Sequence, residues 1–288
     1  MIAAIQEESK AVCPSSSTEP SGLRMRRAGA MERGMERWML LAATLLATAG
    51  GVWGIVSIRH GDRNRWTVLW MIGAFAFQLA FLSIRGQMRG ACPLGDWGER
   101  LAYLSWSLTL FYILIGPAYR ISLLGVFTAP VVVVFQTIAL APGMLMKSPP
   151  RALHTNPWGE THSATSVLGY GAFALAAVAG IMFLVLDHQL KEHHLKGGLF
   201  KHLPPARELL ISVERLLWLG LGLLTVGIVA GFLMPHNGFN SHFLAALAVW
   251  GAYAMLLVLK RVRGLTGRRI SSTAVVLFVM SLLVFAFV

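Results

Sequence analysis

The chain has 288 residues, 56% of them hydrophobic and 13% charged, with a mean hydropathy of +0.62. Soluble domains carry roughly 25% charged residues, so this composition excludes a soluble globular protein and describes a polytopic membrane protein. The net charge of +12 sits on residues flanking apolar runs, where they meet lipid headgroups and fix orientation; no nucleic-acid function follows from it.

Residues 1–37 read as a disordered basic tail rich in Ser, Pro and Arg. The stretch lacks the apolar core of a signal peptide. It contains Met25, Met31 and Met35, which raises the expectation that translation starts at Met31 or Met35. Residues 38–288 read as one eight-helix transmembrane domain, an all-α bundle. Its apolar runs lie near 38–57, 66–84, 101–119, 121–141, 163–186, 209–234, 242–259 and 270–288. Each is close to the about 20 residues a spanning helix needs, and none shows the about 10-residue alternation of barrel strands. The third and fourth runs nearly touch, so Gly116, Pro117 and Arg120 are expected in a tight turn.

Basic residues number six before the first run, then three, two and none in the second, fourth and sixth loops; the other loops carry three, one, four and five. Eleven against thirteen decides nothing. Starting at Met31 or Met35 leaves seven or six against thirteen, and both termini then face away from the cytoplasm. With that orientation the second, fourth and sixth loops lie on the outer face of a bacterial inner membrane.

The histidines divide accordingly. His188, His193, His194 and His202 fall among Lys191, Lys196 and Lys201 in the largest cytoplasmic loop and read as a solvated surface. His154, His162, His236 and His242 fall on the outer face. His162 and His242 each open a run, at the boundary where the dielectric falls, and His154 and His162 flank what reads as an Asn156-Pro157-Trp158-Gly159 turn. A neutral imidazole tolerates that boundary and keeps a lone pair for a metal; an interfacial histidine bonded to a neighbouring helix or to lipid is the alternative. Zinc wants three or four clustered donors, whereas haem wants one or two axial ligands and apolar walls. Trp158, Phe239, Phe243 and Trp250 are candidates for those walls. Gly169, Ala172, Ala176 and Gly180, spaced by three or four, make a small-residue face for a neighbouring helix or a flat macrocycle. Cys13 and Cys92 form no CxxC pair, and no GxSxG, HExxH or P-loop motif supports catalysis by the chain itself.

Several stretches carry a resemblance. "CPLGDWGERLAYLSWSLTLFYIL" from Cys92 leads through a Pro-Leu turn and an acidic residue into a Trp-containing helix, and "LLGVFTAP" follows it. "HSATSVLGYGAFALAAVAG" opens with His162 and places Tyr170 eight residues on. "LPPARELLISVERLLWLGLGLLTVGIVAG" covers 203–231, and "SHFLAALAVWGAYAMLLVLKRVRGLTGRR" ends in a basic turn. In order and spacing these resemble the membrane haem-handling proteins of cytochrome c assembly, of the CcsA and HemX type, and most closely the HemX-like branch. The resemblance implies a protein that binds or passes haem at the outer face for attachment to apocytochrome c, or that assists tetrapyrrole and haem metabolism, with apocytochrome c or other assembly subunits as partners. It also implies His162 as one axial ligand, in a helix that carries Tyr170. By position, His242 is the first candidate for the second ligand and His236 the next. Haem-delivering members carry a tryptophan-rich loop ending in Trp-Asp-Pro-Lys-Glu between the sixth and seventh spans; here that place holds "MPHNGFNSHF".

Two other functions compete. A secondary transporter of a small hydrophobic or tetrapyrrole substrate would place ionisable groups near the midplane, whereas Asp187, Glu214 and Arg215 fall near helix ends. A redox subunit would want ligands at two depths, and no histidine lies deep inside a run.

Overall fold

The structure is a computed structural model that describes residues 21–60, 66–115, 122–146, 156–191, 206–234 and 241–287; at positions 21–34, 58–59, 122–123, 241–242 and 286–287 it describes the backbone alone. Eight α-helices and no strand occur among the described residues: α1 (Ser21–His60), α2 (Trp66–Arg89), α3 (Trp97–Ile115), α4 (Ser122–Leu140), α5 (Pro157–Lys191), α6 (Ala206–Phe232), α7 (Ser241–Arg263) and α8 (Gly267–Phe287). The expected all-α bundle is what the chain forms. Glu36–Val288 make one compact unit.

Among the described residues six helices are long and apolar enough to cross a bilayer by themselves, and α3 is not. The reason lies in its sequence: α3 has 19 residues and spends its first turn on Glu99 and Arg100. It packs on α4 and α5, so protein covers much of the surface that lipid covers elsewhere. The turn expected at Gly116, Pro117 and Arg120 lies outside the described residues.

α5 is the centre of the bundle. From Gly169 to Gly180 every residue is buried, as expected of a helix that is apolar all round. It packs most extensively on α6, and also on α3, α4 and α8. Its small residues serve these helix contacts: Gly169 faces the Gly220 carbonyl and Leu224 of α6, and Gly180 faces Ser271 of α8. Without a hydrophobic drive between helices in lipid, close backbone approach of this kind is what holds them.

Local chemistry sets the helix starts at the end of the bundle bearing the loops after α2, α4 and α6. Asn156 caps α5: its side-chain oxygen accepts from Trp158 N at 3.1 Å and its carbonyl from Glu160 N at 3.0 Å. Pro157 then occupies the first helical position, where its missing N–H costs nothing. The Asn-Pro-Trp-Gly segment is therefore a helix start and not a free turn, and His162 sits in the second turn of α5 instead of at its first residue. At α3, Asp96 and Glu99 make half of a capping box, Glu99 Oε2 accepting from the backbone N–H groups of Gly95 and Asp96. Gly90, at φ 65°, ends α2 with its N–H bonded to the Gly86 carbonyl.

Candidate functional site

His162 is held by the backbone of α6. Its Nδ1 lies 2.7 Å from the Gly227 carbonyl oxygen. A carbonyl only accepts, so Nδ1 carries the proton and donates it, which leaves the lone pair of a neutral imidazole on Nε2. The approach needs glycine on α6. A Cβ at Gly227 would stand 2.6 Å from Ser166 Oγ, and one at Gly231 would stand 3.0 Å from His162 Nδ1.

The ring borders a cavity of about 190 Å³. α5 contributes His162, Ser163, Ser166, Val167 and Tyr170; α6 contributes Leu224, α7 Ala245 and Ala246, and α8 Val284 and Phe285; Leu94 and Arg100 close it from the turn before α3 and from α3 itself. The walls are mostly apolar, and Phe285 stands between Tyr170 (ring centroids 5.5 Å apart) and Trp97 (6.2 Å). Ser166 Oγ is buried with no hydrogen-bond partner among the described residues. Arg100 donates from Nε to the Leu94 carbonyl at 3.1 Å, and its guanidinium lies 5.0 Å from the centre of the Trp97 ring.

Beside the cavity, the turn carrying Leu94 is tied down by a buried ion cluster that the sequence reading did not foresee. Arg85, fully buried in α2, bonds through Nε to Glu99 (2.7 Å), through one terminal nitrogen to Glu36 (3.2 Å) and the Met146 carbonyl (2.9 Å), and through the other to Asp96 (2.6 Å). Arg89 adds bonds to Asp96 (2.6 Å) and Glu99 (2.8 Å). All three carboxylates are buried. Cys92 lies in the same turn, and its own partial burial, with the Glu160 and Glu99 carboxylates nearby, pushes its thiol up to about 11. The signal for this cluster was in the sequence: two arginines a helical turn apart, then Asp96 and Glu99 across a Cys-Pro-Leu-Gly turn.

The residues expected at the site fare differently. His162 and Tyr170 line one cavity. Trp158 is 46% exposed and absent from the wall. Trp250 bonds through its indole N–H to Thr225 Oγ1 at 2.8 Å. Phe243 packs edge-on to Phe232, centroids 4.5 Å apart, close to Gly231. His154, His236 and Phe239 lie outside the described residues, as does the side chain of His242, whose backbone begins α7 one turn before Ala245 and Ala246. Leu94, Arg100, Val284 and Phe285 were missed because they come from chain segments whose helical register says nothing about which neighbour they meet.

Comparison with known proteins agrees with this architecture. Residues 94–288 match the family described as cytochrome c assembly protein. The cytochrome c biogenesis protein CcsA of Gloeobacter violaceus is 26% identical over 301 aligned residues, covering 83% of this chain and 87% of its own. The CcsA of Mesostigma viride is 25% identical, covering 69% and 74%, and that of Synechococcus sp. strain JA-2-3B'a(2-13) is 28% identical, covering 69% and 75%. The chain belongs to the cytochrome c assembly protein family, as a polytopic integral membrane protein of the CcsA type.

Proposed function

We propose that this protein binds haem as cargo at the His162 cavity during cytochrome c biogenesis, without catalysing a reaction itself. The observation that carries the reading is the Gly227 carbonyl at 2.7 Å from His162 Nδ1. A metal-binding histidine is characteristically oriented and made more basic by such a bond to its other nitrogen. Here the bond also holds the ring in the tautomer with a free Nε2.

The residues suit a haem in their chemistry. Haem iron takes a neutral imidazole, and its macrocycle takes apolar and aromatic walls; Val167, Leu224, Tyr170 and Phe285 provide them. The volume, about 190 Å³, is below the roughly 300–1,000 Å³ of pockets that enclose a drug-sized ligand. The cavity therefore accepts part of a macrocycle, with α5 and α7 both contributing to its wall. Position 242, one turn from Ala245 and Ala246 on α7, keeps its place as the first candidate for a second ligand, with His236 after it. Bound haem would supply a redox-active iron; the chain supplies its ligand, excludes water and sets the polarity around it. The other partners proposed are apocytochrome c and further assembly subunits.

Purified protein titrated with haem is expected to show a Soret band that His162→Ala abolishes or shifts and that His242→Ala weakens. A spectrum unchanged in both variants would overturn the assignment. Flux of a tetrapyrrole through protein-containing liposomes, independent of His162, would favour the transporter reading instead.

A further inference from the structure

Within the haem-binding reading, we propose that Arg100 recognises a carboxylate of the cargo, so that the cavity selects acidic tetrapyrroles over their esters. Arg100 is the one residue of the described wall with a permanent charge, and no Asp or Glu lines the cavity with it. Of the acids nearby, Asp96 and Glu99 are already engaged, and Glu160, close enough to act on the Cys92 thiol, does not line the cavity. Asp96 accepts from Arg85, Arg89 and Met146 N, and Glu99 accepts from Arg85, Arg89 and two backbone N–H groups. Among the described residues Arg100 has no ion pair with any of them.

Its guanidinium is nonetheless fixed in place. Nε is occupied by the Leu94 carbonyl and the planar group lies by the Trp97 ring, which leaves the two terminal nitrogens for another acceptor. A guanidinium whose plane is set in advance loses little freedom on pairing, and its parallel N–H groups match the two oxygens of a carboxylate. The same wall holds an imidazole with a free lone pair and an apolar interior. The ligand that uses all three features is a flat apolar molecule with a metal at its centre and acid groups at its edge. The buried cluster around Arg85 then has a role at the site: it anchors Asp96 and Glu99, which flank the turn and first helical residues carrying Leu94, Trp97 and Arg100.

The test uses the full chain in detergent, with iron protoporphyrin and its dimethyl ester as probes and the Soret band as readout. Wild type is expected to bind the free acid roughly 10- to 100-fold more tightly than the ester, the range for a hydrogen bond to a charged group. Arg100→Gln should bind both at the wild-type ester level while its Soret maximum stays in place, because the imidazole ligand is untouched. Arg100→Lys should restore part of the preference. Equal wild-type affinity for acid and ester overturns the proposal without any variant, so a misfolded Arg100→Gln leaves it testable; so does a wild-type preference retained in Arg100→Gln. If the wild type binds neither probe, or His162→Ala binds as the wild type does, the haem-binding reading itself fails and this proposal goes with it.

Discussion

Arg85 carries the heaviest local consequence of any side chain described. It is fully buried, and each of its three nitrogens is bonded. Removing one partner of a buried ion pair leaves uncompensated charge and costs about 3–5 kcal/mol. Arg85→Met would take the bonded guanidinium from Glu36 and leave Asp96 and Glu99 with Arg89 as their cation, so its unfolding free energy in a denaturing-detergent titration should fall by that order. Arg85→Lys should recover little, because an ammonium cannot fork to three carboxylates and a carbonyl. Neutralising the stranded acid as well, with Glu36→Gln on the Arg85→Met background, should return part of the loss, since the interaction is shared and Arg89 keeps Asp96 and Glu99. An Arg85→Met protein as stable as the wild type would show the cluster to be dispensable. In the same turn, the thiol of Cys92, raised to about 11 by burial and by the Glu160 and Glu99 carboxylates, should be protonated at neutral pH. Because the thiolate is the reactive form, alkylation of Cys92 in a Cys13→Ser background should quicken about tenfold per pH unit from 7 to 9. A plateau below pH 9 would return it to the ordinary thiol range near 8.5.

The contact of α5 with α6 shows how a helix face sets the distance between neighbours. A Cβ at Gly220 would lie 2.5 Å from Phe173 Cε1, and Phe173 cannot retreat because its ring is stacked on Tyr253 at 3.7 Å. Gly222, two residues on, is exposed and would meet nothing within 4 Å. The pair therefore separates packing from helix propensity. Gly220→Ala should lose about 1–3 kcal/mol through overpacking, whereas Gly222→Ala should be neutral or gain up to about 1 kcal/mol from propensity. Thermal unfolding in detergent measures both; equal effects would mean that α6 moves freely away from α5. Gly227 is the more informative position for the site. An added methyl there meets Ser166 Oγ and Thr165 Oγ1, displacing the carbonyl that orients His162. Gly227→Ala should therefore weaken haem uptake more than Gly220→Ala does at matched stability.

Across the whole molecule, hydropathy made the eight helices and their order legible, because burial in lipid demands uninterrupted apolar length whatever the partners are. It misplaced the starts of α3 and α5, where Asp96 with Glu99 and Asn156 with Pro157 begin helices in polar sequence, ahead of the first apolar residue. Two of the twelve residues lining the cavity were legible: His162 and Tyr170 share a helix, and spacing along one helix is visible in sequence. Arg100, Leu94 and Phe285 were not, since their meeting depends on how α3 and α8 pack on α5. Charge counting failed for a related reason. The second loop appeared to offer three basic residues, yet Arg85 and Arg89 are held in buried ion pairs and Arg100 faces the cavity, so none of them is a free flanking cation. By contrast Arg261, Arg263, Arg268 and Arg269, around the turn between α7 and α8, are all exposed. Lys191 and Lys260 on the opposite side are paired too; with all of these discounted the count still leans towards the proposed orientation, in which the α7–α8 turn is cytoplasmic and the His162 cavity lies near the outer face. In a background lacking Cys13 and Cys92, Thr161→Cys should react with a membrane-impermeant maleimide in intact bacterial cells, because Thr161 is exposed in the first turns of α5. Arg263→Cys, exposed at the end of α7, should react only after permeabilisation. The reverse pattern would put the cavity on the cytoplasmic side, where a bound haem would be positioned for uptake from its source and not for delivery across the membrane.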